Sequence, residues 1–190
     1  MGVDAMKMTA LHHVLIFLAA LLAVFWEAAF PGVRSLLGAQ VDLLPPLMVY
    51  AALSTSLVAI AFLAAWSGLL FDSLSANPLG VSVLPLFIVG VAIHFRRELL
   101  LREQLFAQLA LGFAASALTP ALTVLLLLTA GQEPLLGWGS LWQWIVMSLG
   151  GAVVTPIFFA MFGWFNRIFG YQAVTESSFR PDREIRRGRN

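Results

Sequence analysis

The chain has no cysteine, which excludes disulfides, thiolate catalysis and cysteine-based metal sites while leaving the redox compartment open. Charge is almost as scarce: 11% of the 190 residues are Asp, Glu, Lys or Arg, against about 25% in soluble domains. Catalytic signatures are missing too. There is no Gly-x-Ser-x-Gly, no His-Glu-x-x-His, no paired carboxylates and no glycine-rich phosphate loop. The histidines do not make up for this. His12 and His13 are adjacent and point to different faces of a helix, and His94 lies beside Arg96 and Arg97, so all three read as interfacial residues. No catalytic residue, cofactor, metal site or nucleic-acid partner is assigned, and the protein reads as a non-enzyme.

What the chain has in abundance is apolar surface, with 60% hydrophobic residues. At about 20 residues per spanning helix there is room for five or six spans and for no sizeable extramembrane domain. The sequence therefore predicts an all-α integral membrane protein with about six transmembrane helices. Residues 1–10 form a cytoplasmic N-terminus, 11–170 the transmembrane domain, and 171–190 a basic, disordered cytoplasmic tail.

The first span is Leu11 to Ala29, read as an uncleaved anchor because Trp26 and Glu27 occupy the place of a small-residue cleavage site. Asp42 to Asp72 is too long for one helix and splits into two short segments. Pro45-Pro46 opens the first, Ser54-Thr55-Ser56 makes the joint, and the second runs from Leu57 to Phe71. Val81 to Phe95, Leu105 to Leu128 and Trp142 to Ile168 complete six, with five as the alternative. With six spans Lys7, Arg96, Arg97, Arg102 and Arg167 share one side, which the positive-inside rule makes the cytoplasm of a bacterial inner membrane. Both termini then face it. Trp138, Trp142, Trp144 and Trp164 read as interfacial anchors of the last span. Arg183, Arg186 and Arg187 in the tail suit anionic lipid headgroups or, alternatively, a cytoplasmic protein.

Between Asp42 and Arg96 the sole formal charge is Asp72. An acid costs about 2.5 to 3.5 kcal/mol at the centre of a bilayer, so it must lie at an interface or have a partner. Ala64, Gly68 and Asp72 recur every fourth residue and share a helix face, where small residues admit a close neighbour. At the outer end of its helix Asp72 is expected to cap the Asn77-Pro78-Leu79-Gly80 turn or accept amides of the next helix. A proton or cation site is the alternative; it needs a second polar group at similar depth, and only Glu27 offers one. Pro85, Pro120 and Pro156 fall within spans and are expected to bend them, with Thr119 and Thr155 hydroxyls resatisfying freed carbonyls. The resulting space is curved packing or a substrate cavity. Gly112 with Ser116, and Gly150-Gly151, add close-contact faces.

Gly68-Leu69-Leu70-x-Asp72, Gly80 eight residues later, the preceding Asp42-Leu43-Leu44 and the basic end together resemble the bacterial rod shape-determining protein family MreD, over roughly Leu11 to Phe169. That family often carries a proline where this chain has Val41. The resemblance implies a non-enzymatic inner-membrane subunit of the cell-elongation and peptidoglycan-synthesis machinery. Its implied partners are an MreC-like bitopic protein, a RodA-like polymerase, a penicillin-binding transpeptidase and, indirectly, the MreB filament. Gly68, Asp72 and Gly80 would be an architectural element. The family is similar in size and span count to the substrate-binding subunits of energy-coupling-factor transporters. A vitamin or small-molecule transport subunit is therefore the alternative, with Ala19 and Ala23 as a docking pair.

Overall fold

The computed structural model describes residues 2–29, 38–75, 78–97, 104–132 and 137–170, and of residues 2–9 and 169–170 the backbone alone. Among these the chain is all-helical. Its six helices are α1 (Gly2–Ala29), α2 (Leu44–Ser54), α3 (Leu57–Leu74), α4 (Val83–Arg96), α5 (Leu105–Thr129) and α6 (Trp138–Gly170). Four contain segments long and apolar enough to cross a membrane, namely 10–29, 57–74, 105–129 and 138–168. The other two are shorter. At 1.5 Å per residue the 11 residues of α2 reach about 16 Å and the 14 of α4 about 21 Å, less than a ~30 Å hydrocarbon core. The six expected spans are thus six helices of unequal reach.

The chain divides into two compact units, Met1–Phe158 and Phe159–Asn190. In the first, α2 is the hub and packs against α1, α3, α4 and α5. Its residues from Leu44 to Leu53 are all buried, as expected for a helix that is apolar on every side. Gly90 of α4 lets that helix lie on Met48 of α2 and Ile60 of α3, so close that a methyl there would meet both side chains. The second unit is described over 159–170, the last part of α6, where Trp164 is exposed and its ring lies 5.2 Å from Phe165.

Local chemistry sets the boundaries. α2 ends where Thr55 turns extended, with the Ser54 and Thr55 hydroxyls donating back to Tyr50 and Ala51 carbonyls. Ser56 then caps α3 by accepting from the Ala59 amide. This is the joint expected from the Ser-Thr-Ser run. α1 runs from Gly2, with its spanning segment at 10–29 as expected from Leu11 to Ala29, and α6 starts at Trp138 rather than Trp142, where the Gly137 carbonyl already takes the Ser140 and Leu141 amides. Pro85 does not bend a span. It sits in the first turn of α4, where its missing N–H would have had no intrahelical acceptor. Pro120 and Pro156 are interior, but the threonines beside them act one residue off from expectation. Thr119 and Thr155 donate to Ala115 and Gly151, whereas the prolines deprive Ser116 and Ala152 of their donors.

Candidate functional site

A helix starting inside an apolar unit exposes amides that must find acceptors, because no water reaches them. At α2 two of those donors are absent, since Pro45 and Pro46 have none, and the Leu47 amide reaches the Leu43 carbonyl. The remaining two are taken by carboxylates. Leu43 N–H donates to Glu27 Oε1 at the end of α1, and Leu44 N–H to Asp42 Oδ1 at 2.9 Å. Asp42 is 8% exposed, and its carboxylate and that of Glu27 take the amides of adjacent residues. The chain thus holds a carboxylate pair that its sequence spacing hides.

Asp72 does the same for α4. Its Oδ2 accepts from Gly80 N–H at 2.8 Å and from Ser82 N–H at 3.1 Å, so it serves both the turn and the helix start. The face expected on α3 closes the same junction. Ala64 is fully buried, and Gly68 lies so near Val83 that a Cβ would come within 2.9 Å of that residue's backbone. Gly80 has φ +91°, a conformation natural to glycine. Gly68, Asp72 and Gly80 therefore form one clasp joining α3 to α4. Asp72 Oδ1 and Glu27 Oε2 are buried without a hydrogen-bond partner among the described residues.

The other end of α2 is finished by a histidine. His94 Nδ1 lies 3.0 Å from the Ala52 carbonyl, which can only accept, so this nitrogen carries the proton. His94 thus bridges α4 and α2. His12 likewise turns inward, its ring 5.9 Å from that of Tyr50.

Around Asp42 the packing opens. A cavity of about 200 Å³ is bounded by Asp42, Ser82, Thr119 and Thr123 among apolar side chains. Beside it, between α5 and α6, runs an apolar cleft of about 790 Å³, and both share Pro120, Val124 and Met147 as walls. Space at Pro120 is thus more than curved packing. Trp144 borders the cleft and donates its indole N–H to the Ala117 carbonyl, one turn before the proline. Of the tryptophans read as anchors, Trp144 is therefore also an interhelical link, while Trp138 and Trp142 are exposed.

Gln143 fastens the segment leading to Asp42, accepting from the Gln40 amide at 3.0 Å and donating to its carbonyl at 2.8 Å. Val41 fits against Gly150, leaving no room for a methyl on that glycine. Below this, Gly112 and Ser116 meet Gly151 and Thr155 so closely that either glycine's Cβ would overlap a hydroxyl. In α1 the buried small residues are Ala20 and Ala23. Ala19 is half-buried.

Arg96 and Arg97 are exposed at the end of α4; Arg102, Arg183, Arg186 and Arg187 lie outside the described residues. Among the described residues no three His, Asp or Glu side chains gather to hold a metal ion. The role of Glu27 at α2, Gln143 and the inward role of His94 were missed from sequence. The available signal for Glu27 was an acid inside an apolar span shortly before a proline-led helix. No family model matches the chain, and no curated protein or solved structure matches it at a significant level.

Proposed function

We propose that this protein is a non-catalytic scaffold subunit of a bacterial inner membrane, serving cell elongation and peptidoglycan synthesis as the resemblance to MreD implies. The observation that carries this reading is the clasp: Gly68, Asp72 and Gly80, the residues behind the resemblance, meet at one junction and are engaged with backbone. An acid whose bound oxygen is used by two amides serves shape, and shape is what a scaffold supplies. Lys7, Arg96, Arg97 and Arg167 put both termini in the cytoplasm and the three carboxylates towards the opposite face. Exposed apolar side chains such as Phe62, Trp66 and Leu69 on α3 would face lipid or the helices of an MreC-like protein, a RodA-like polymerase and a penicillin-binding transpeptidase. The basic tail would meet anionic lipids.

The test is complementation of a rod-shaped host depleted of its own MreD, combined with purification in mild detergent. The scaffold reading expects restored rods and co-purified cell-wall assembly proteins, both weakened by Gly68→Leu. Recovery of an ATPase module instead would favour a transport subunit.

A further inference from the structure

The wall chemistry of the cavity beside Asp42 is weighted towards acceptors, with Ser82 adding a hydroxyl that can accept as well as donate. Thr119 and Thr123 spend their hydroxyl protons on the Ala115 and Thr119 carbonyls, both at 2.9 Å, so what they can offer an occupant is lone pairs. Asp42 adds a carboxylate that is nine-tenths buried, with Oδ1 held by the Leu44 amide. Two hydroxyls limited to accepting and a carboxylate favour an occupant that brings donors and a positive charge, which describes a primary ammonium. The way in is apolar. Pro120, Val124 and Met147 line both this cavity and the cleft between α5 and α6, whose lining includes Ala121, Leu141 and Trp144. An occupant reaching Asp42 past these residues carries its ammonium on an apolar body.

We propose that the cavity and cleft together bind a membrane lipid with a primary-ammonium headgroup, its ammonium paired with Asp42 and its chain lying between α5 and α6. Asp42 supplies the counter-charge and Thr119 and Thr123 accept the remaining ammonium protons. A trimethylated headgroup has the charge but no N–H, and an anionic headgroup has the wrong sign. The site therefore selects by donor count as well as by charge. It does not depend on any protein partner, so it stands or falls separately from the scaffold reading.

The experiment is native mass spectrometry of the purified full chain released from nanodiscs of phosphatidylglycerol containing equal amounts of phosphatidylethanolamine and phosphatidylcholine. One charge-assisted hydrogen-bonded contact corresponds to about tenfold in affinity, so phosphatidylethanolamine is expected to be retained about tenfold over phosphatidylcholine. Asp42→Asn keeps an acceptor for the Leu44 amide and is expected to fold yet lose the preference. Val124→Trp, which fills the shared wall without changing charge, is expected to lose retention of both lipids. In detergent, dodecylamine is expected to raise Tm saturably, while dodecanol and dodecyltrimethylammonium do not. Equal retention of the two lipids, or a preference unchanged in Asp42→Asn, would overturn the proposal. So would saturable stabilisation by sodium or potassium chloride or by a short water-soluble amine in place of the long-chain amine, and so would full occupation of the cleft by a co-purified protein helix.

Discussion

Glu27 and Leu43 are joined by a hydrogen bond from the Leu43 amide to the Glu27 carboxylate, which ties the end of α1 to the start of α2 across 16 positions of sequence. The bond spares α2 a buried amide with no acceptor. Glu27→Leu removes the acceptor and is expected to cost about 1–3 kcal/mol, whereas Glu27→Gln keeps an oxygen there and is expected to cost less. Thermal unfolding in detergent, followed by tryptophan fluorescence, checks the order wild type, Gln, Leu.

Asp72 gives a sharper contrast. If its role is to accept the Gly80 and Ser82 amides, Asp72→Asn retains the acceptor and is expected to keep most stability and function, while Asp72→Ala strands both donors and loses about 1–3 kcal/mol for each. A proton or cation carrier would show the reverse dependence, with Asn as inactive as Ala. Complementation of rod growth, read beside Tm, separates the two.

At Gly68 and Gly80 the same substitution fails for different reasons. Gly68→Ala drives a methyl into the Val83 backbone, which cannot rotate away, and is expected to cost about 1–3 kcal/mol by overpacking. Gly80→Ala meets open space but a φ of +91°, and is expected to cost about 1–3 kcal/mol in backbone strain. Gly80→Asn, which tolerates positive φ better, is expected to recover part of that loss, and no side chain is expected to rescue position 68. Melting curves of the three variants decide this.

His94 is expected to tolerate asparagine, whose amide can donate near the position of Nδ1, better than phenylalanine, which fills the space but leaves the Ala52 carbonyl unserved. Hydrogen exchange at the end of α2 is expected to speed up in His94→Phe and to stay near wild type in His94→Asn.

Gln143 holds Gln40 through both backbone groups, so Gln143→Leu is expected to free the segment before Asp42. Faster exchange at Gln40 with little change at α4 is the expected signature, because that helix is capped by Asp72 instead.

Much of the architecture was legible because membrane segments announce themselves by composition. The Pro45-Pro46 start, the Ser54-Thr55-Ser56 joint and the end of α5 near Leu128 follow from residue chemistry that acts within a turn or two. The role of Asp72 was legible for a related reason, since its acceptor function concerns a turn only eight to ten residues away. Pro85 misled because hydropathy gives an extent without a helix register, and one turn separates a harmless proline from a kinking one. The interhelical bonds of Trp144 and His94 were not legible because residue type describes a preference for an interface and says nothing of a carbonyl within reach on another helix.

Composition alone settled that this chain is helical and apolar enough to cross a membrane, because a backbone without water must bond to itself and few charges are present to oppose burial. Only the tertiary structure decided that α2 is the hub and that Glu27 and Asp42 supply acceptors at its start. The physical reason is range. Hydropathy and turn chemistry act between near neighbours, whereas an unpaired amide accepts any carboxylate that packing brings to it, from however far along the chain.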